Sequence, residues 1–206
     1  MIIYKSDYEI EELKKAGQLV GNVLLKIEEI LRPGINTAYV DKVAEDMIRS
    51  NNAIPAFKGY KGRISKRPFP GSICVSINEE VVHGIPGKRI LNEGDLVSID
   101  VGVKLNGFYG DAARSFIIGK SDSGAKKLLD VTLAALNAGI DKCVAGNRLS
   151  DISNAIETQA KKASFSVVED FVGHGIGRNM HEDPQILNYG PPGRGPLLKK
   201  GMVLAI

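Results

Sequence analysis

The chain has 206 residues, 43% of them hydrophobic and 25% charged, a balance that fits an ordinary globular fold of one or two compact units. A net charge of +3 is too small to argue for a nucleic-acid partner, so DNA binding is not expected. No apolar run is long enough to span a bilayer, Met1 to Lys5 is no signal peptide, and Cys74 and Cys143 make no disulfide framework, so a cytoplasmic protein away from the membrane is expected.

In chain order, Ser6-Asp7-Tyr8-Glu9 reads as a capping box, with Ser6 as N-cap and Glu9 reaching back. Ile10, Leu13, Val20, Val23, Leu24, Ile27 and Leu31 then recur on one helical face until Pro33-Gly34 stops the helix. Thr37 is expected to cap a second helix with the face Val40, Val43, Ala44, Met47 and Ile48. A glycine- and proline-bearing loop fills about 51–71, and 72–78 reads as a strand. Val97, Ile99 and Val101 alternate with Ser98, Asp100 and Gly102, which predicts a strand over 95–103. Asn106-Gly107 signals a hairpin, with a return strand over 108–118. Residues 121–140 and 150–163 read as a helix pair, 166–171 as a short strand before a glycine-rich stretch, and 202–206 as the start of a last strand. The order helix, helix, strand, hairpin, then helix, helix, strand points to a duplicated architecture whose second half is incomplete.

Asp100 and Asp111 sit on opposite arms of the hairpin. A loop closed around Leu105-Asn106 pairs them directly, and one closed around Asn106-Gly107 sets them diagonally; in either case they share a face. Two carboxylates that close repel unless a cation lies between them or one is protonated. Metal binding and a solvated acidic face therefore both remain open on these residues alone. Arg114 reads as a salt-bridge partner.

The chain has only three histidines, His83, His174 and His181, and each lies in a motif. The run Gly173-His174-Gly175-Ile176-Gly177-Arg178-Asn179-Met180-His181-Glu182-Asp183-Pro184 is too rich in glycine for a helix. A neutral imidazole suits a borderline divalent metal, and one histidine can ligate while the other hydrogen-bonds substrate. His83 follows Glu79 and Glu80, which read as a solvated acidic bend. There is no Gly-x-Ser-x-Gly elbow, and Cys74 in an apolar strand reads as inert, so nucleophilic catalysis has little support.

The combination of Val82-His83-Gly84-Ile85-Pro86, of Asp100 and Asp111, and of Gly173-His174-Gly175-Ile176-Gly177 followed by His181-Glu182-x-Pro184 resembles the type I methionine aminopeptidases, peptidases of the pita-bread fold. The likeness covers the whole chain, including Glu11-Glu12-Leu13-Lys14-Lys15-Ala16-Gly17. It implies a pseudo-twofold α/β (α+β), creatinase/aminopeptidase-like fold, here missing its last strands, in one catalytic domain over residues 1–206. It implies removal of the initiator methionine from nascent polypeptides with two divalent metal ions (cobalt, manganese, iron or zinc). Asp100 resembles the ligand of one metal, Asp111 the bridging ligand and His174 the imidazole ligand of the second. His83 and His181 resemble the histidines that contact substrate and steady the transition state. Tyr60, Phe69, Cys74 and Met180 match positions that line the methionine pocket, with Phe69 where a tyrosine is usual and Met180 where a phenylalanine is usual. The family also uses two glutamates, one directly after the position of Ile206 and one further on. The 206 residues alone are therefore expected to be a fragment with little or no activity.

Lys58, Lys61, Arg63, Lys66 and Arg67 form a run of bases that reads first as a solvated loop and second as a transient ribosome contact. The resemblance implies a monomer. The competing readings are a proline-specific peptidase of the same fold and a metal-free binding protein.

Overall fold

The computed structural model describes residues 1–61 and 67–206. They divide into two compact units, Glu11–Ala125 and Met1–Ile10 with Lys126–Ile206.

The first unit contains most of the long helix α1 (Asp7–Ile30), which buries Leu13, Ala16, Leu19, Val20, Val23, Leu24 and Ile27 on one face. Its start is the expected capping box: the Glu9 N–H donates to Ser6 Oγ at 3.3 Å and the Ser6 N–H to the Glu9 carboxylate at 3.0 Å. Gly34, with φ of 89°, turns the chain into α2 (Thr37–Ser50). Here the expectation for Thr37 is corrected. The N-cap is Asn36, whose side chain accepts the Tyr39 N–H at 2.8 Å. Thr37 is the first helical residue, and its hydroxyl exchanges hydrogen bonds with the backbone of Gly87 instead. Asparagine caps at least as well as threonine, and a long-range partner removes the threonine from the competition.

Four strands follow: β1 (Ile54–Pro55), β2 (Ile73–Ile77), β3 (Leu96–Leu105) and β4 (Phe108–Ile117). All pairings are antiparallel, and β3 is central: β4 pairs with it along its length, while β2 and β1 pair with successive stretches. The two-residue β1, inside the expected loop, carries no periodicity from which it could be read. Val97, Ile99, Val101 and Val103 of β3 are fully buried in one cluster with the apolar faces of α1 and α2. Each such side chain contributes about 1.5–3 kcal/mol through burial. Helix and hairpin also touch through backbone: a Cβ on Gly110 would lie 2.7 Å from the Ala16 carbonyl carbon, so only glycine allows this approach. The buried Glu12 carboxylate accepts Lys15 at 2.6 Å and the Asn106 side-chain amide at 2.8 Å, which fastens the hairpin turn to α1.

The second unit contains most of α3 (Ser123–Ile140), α4 (Leu149–Lys162) and the strands β5 (Gly173–Gly175), β6 (Glu182–Ile186) and β7 (Leu204–Ala205), in the sheet order β6-β5-β7. Leu149, Ile152, Ile186 and Leu198 form its core. The strand expected over 166–171 is not formed. The strand lies instead within the glycine-rich stretch, and β6 was not anticipated. The reason is backbone proximity. A Cβ on Gly173 would meet the Ala205 carbonyl oxygen at 2.5 Å, and one on Gly175 the Asp183 carbonyl oxygen at 2.2 Å. A strand this tightly flanked needs glycine and shows none of the β-branched signature that marks strands in sequence. Among the described residues no helix is long and apolar enough to cross a membrane.

Candidate functional site

The hairpin turn decides the register of the two aspartates. Asn106 and Gly107 both take positive φ, 51° and 86°, as a two-residue type I′ turn requires. Asp100 then pairs with Ala113 and Asp111 with Gly102, so the carboxylates are diagonal neighbours on one face, opposite the buried valines. Both are half-buried. Cys74 of β2 pairs directly with Asp100 and joins the same face. Its thiol is pushed up to about 12, first by burial and then by the negative charges of Asp100, Asp111 and Asp41. A thiol so disfavoured as thiolate is no nucleophile, which agrees with the sequence reading. Gly102 leaves room on this face for the ring of Phe57, which a Cβ there would meet at 2.5 Å. Arg114 forms a two-pronged pair with Glu28 of α1, at 2.8 and 3.0 Å, the structural role expected for it.

His83 follows a bend at 78–82. Glu80 accepts the Ile77 N–H at 2.9 Å and pairs with Arg89 at 2.5 Å, so its carboxylate is engaged in holding that bend. Val82 and His83 both have positive φ, 45° and 56°, a conformation costly for a β-branched residue. It is held from the next residue. The Gly84 carbonyl accepts the Val75 N–H at 2.9 Å, and the Gly84 N–H donates to Ser76 Oγ at 3.1 Å. The exposed His83 ring thus leaves a backbone clamped to the edge of β2.

In the second unit β5 carries His174, and the loop into β6 carries His181. Their rings lie 4.5 Å apart between centroids, tilted by 57°. His174 Nδ1 is 2.9 Å from the Gly175 carbonyl oxygen. Only an N–H can donate there, so in the neutral ring Nε2 carries the lone pair that a metal would take.

Of the residues expected at the methionine pocket, Tyr60 and Phe69 are brought together: the Phe69 N–H donates to the Tyr60 carbonyl at 2.9 Å. Tyr60 is exposed, whereas Cys74 is buried beside Asp100. Met180 is buried in the second unit. In the basic run, Lys58 pairs with Glu45 at 2.6 Å, while Arg63 and Lys66 lie outside the described residues. Sequence reasoning missed Asp41, which accepts the Ser72 and Ile73 N–H groups at 2.7 and 3.0 Å and pins the start of β2. Its carboxyl is raised, chiefly by burial and against those two hydrogen bonds. It also missed the pair of Lys5 with Glu182, since residues 177 apart in sequence give no local signal.

The first unit carries two carboxylates on one face, and the second an imidazole whose Nδ1 faces a carbonyl; carboxylate and imidazole are the donor types that suit a borderline divalent metal. Among the described residues no three histidine, cysteine, aspartate or glutamate side chains form a group that could hold an ion, so the chemistry of the donors carries this fit.

The model of metallopeptidase family M24 matches residues 11–206. The methionine aminopeptidase of Clostridium acetobutylicum is 54% identical over 207 positions, covering 100% of this chain and 80% of that relative. Methionine aminopeptidase 1 of Bacillus subtilis is 50% identical, covering 100% of this chain and 81% of the relative. Among solved structures, methionine aminopeptidase from Rickettsia prowazekii superposes with a TM-score of 0.94 at 42% identity, over 99% of this chain and 80% of that one. Prolidase from Pyrococcus furiosus shares the fold with a TM-score of 0.81, at 22% identity over 98% of this chain and 56% of that one.

Proposed function

The chain belongs to metallopeptidase family M24 and, within it, to the methionine aminopeptidases, and from that premise we infer that it removes the initiator methionine from new polypeptides in the cytoplasm. The observation that carries the reading is identity at about half of all positions, across the whole chain, with proteins named for that activity. The fold is the pita-bread fold of these peptidases. The proline-specific alternative has only the fold in its favour, at 22% identity.

We assign Asp100, Asp111 and His174 as ligands of two divalent ions of the cobalt, manganese, iron and zinc class. The shared face of the aspartates and the Nδ1 bond of His174 support this. When bound, such ions polarise the scissile carbonyl and supply a hydroxide-like nucleophile at neutral pH. The chain's own groups do the rest. Asp100 and Asp111 would offer carboxylate oxygens to the ions from their shared face. The Gly175 carbonyl holds the His174 ring in one tautomer and orientation. His83 and His181 donate or accept hydrogen bonds at the substrate's amide as charge moves onto it. Cys74, with its thiol protonated, offers only a small apolar wall beside Asp100, and Tyr60, Phe69 and Met180 complete the surroundings of the methionine side chain. The partner is the nascent polypeptide as it leaves the ribosome, met by a monomer. Any ribosome contact falls to the basic run that includes Lys58, Lys61 and Arg67.

The full-length protein, loaded with cobalt or manganese, is expected to cleave Met-Ala-Ser and to leave an X-Pro peptide intact. Asp100→Asn is expected to lower both bound metal per chain and turnover by tenfold or more. Preferential cleavage of the X-Pro peptide would replace this reading with the prolidase one. Unchanged metal content in Asp100→Asn would remove Asp100 from the ligand set.

A further inference from the structure

Lys5 and Glu182 form an ion pair at 2.5 Å whose side chains are only 3% and 4% exposed. Removing both charges from water is expensive, and a buried ion pair is poor at stabilising a fold, since two apolar side chains of similar size commonly do as well. What such a pair supplies is direction, because charge-assisted hydrogen bonds fix where each partner sits.

The surroundings show what is being fixed. Lys5 Nζ also donates to the Ile3 carbonyl at 3.0 Å, and its backbone N–H to the Gly201 carbonyl at 2.7 Å. On the other side, Glu182 Oε1 accepts the Asn179 N–H at 3.1 Å. Gly177 is bare for the same reason: a Cβ there would meet Lys5 Cε at 2.4 Å and Glu182 Oε1 at 2.7 Å. The backbone over 177–182 therefore folds around the pair. His181 is the residue immediately before Glu182, on the exposed side of that loop, with its ring beside His174.

We propose that the Lys5–Glu182 pair is a positioning device for His181: it sets the 177–182 loop so that the imidazole is held in its place during peptide hydrolysis. Lys5 and Glu182 touch no substrate and act only through His181. The inference rests on the reading of His181 as a substrate-contacting residue. It extends the functional part of the chain to its fifth residue, which the motifs do not mark.

The test uses the full-length enzyme. Lys5→Met/Glu182→Leu replaces the pair with apolar side chains of similar volume and leaves no charge stranded. The expected result is a Tm equal to or above the parent's, a kcat on Met-Ala-Ser about tenfold or more lower, and a KM within about twofold, because the transition-state contact is misplaced while ground-state binding stays. In a His181→Ala background the same double substitution is expected to lower kcat no further. A kcat within about twofold of the parent, at equal Tm, makes the pair merely structural and overturns the proposal. Losses that multiply in the His181→Ala background overturn it as well, because the pair then acts elsewhere. If His181→Ala alone leaves kcat unchanged, the role given to His181 fails first and this inference with it. Should the double variant not fold, Glu182→Gln keeps the shape and the Asn179 contact, and an unchanged kcat in that variant overturns the proposal.

Discussion

Gly84→Ala tests how His83 is held. An added Cβ would lie 2.1 Å from the Val75 carbonyl oxygen, 2.6 Å from its carbon and 2.8 Å from Ser76 Cα, all backbone atoms of β2. A real Cβ essentially never comes within 3.0 Å of a heavy atom, so the 83–85 backbone retreats by at least about 0.9 Å. That movement breaks or lengthens the Val75 N–H bond to the Gly84 carbonyl and the Gly84 N–H bond to Ser76 Oγ. At about 1 kcal/mol for each hydrogen bond, the loss of stability is about 2 kcal/mol. For a domain of this size that lowers Tm by roughly 4–8 °C. The activity effect is larger, since a misplacement of about 1 Å costs on the order of a hundredfold, and His83 travels with its neighbour. The assay is a thermal melt together with kcat/KM on Met-Ala-Ser for the full-length protein. Gly87→Ala is the control, because a Cβ there meets nothing within 4 Å, and it is expected to change neither quantity. A Gly84→Ala protein with parental Tm and kcat/KM would refute the claim that this clamp positions His83.

Two further outcomes follow from the charges. Burial and the neighbouring aspartates hold the Cys74 thiol at about 12, so iodoacetamide at pH 8 is expected to modify only the exposed Cys143 in the native protein and both cysteines after unfolding; comparable rates for the two native thiols would contradict the description of the aspartate face. The Lys58 ammonium, helped by Arg49, pulls the Glu45 carboxyl down from 4.5 to about 2. A folded value below the unfolded one means stability that is complete above about pH 5 and is lost as pH falls through about 2. Glu45→Gln is therefore expected to cost about 1 kcal/mol at pH 7, after allowance for solvent screening, and almost nothing near pH 2. Urea midpoints across that range check it, and a penalty that does not shrink toward acid would rule out the ion pair as its source.

The elements that could be read in the sequence are those whose signals are local. The Ser6 box, the alternation over 97–103 and the Asn106-Gly107 turn each lie within a few residues, and each forms as expected. The face shared by Asp100 and Asp111 follows from that alternation, and the turn's two positive φ values select the diagonal register. Where the sequence reading failed, the cause is a partner far along the chain. Thr37 bonds Gly87 rather than capping its helix. The strand at 173–175 owes its existence to backbones on both sides, and glycine, which permits that approach, is the residue that hides it from a propensity argument. The Glu182 side chain turns to Lys5, which no spacing rule links to it. The motifs display the residues that would face substrate, but not the supports behind them, because a support is defined by what it touches.

The hairpin's pairing obeys a parity. Residues paired across β3 and β4 have numbers that sum to an odd value, and this parity is what puts Asp111 on the side of Asp100 rather than among the valines. A slip of β4 along β3 by one residue would reverse it, rotating Asp111 inward and Ala112 outward in one step. The core therefore guards the acidic face from behind: any slip that misdirects Asp111 also drives apolar side chains of β4 out into water.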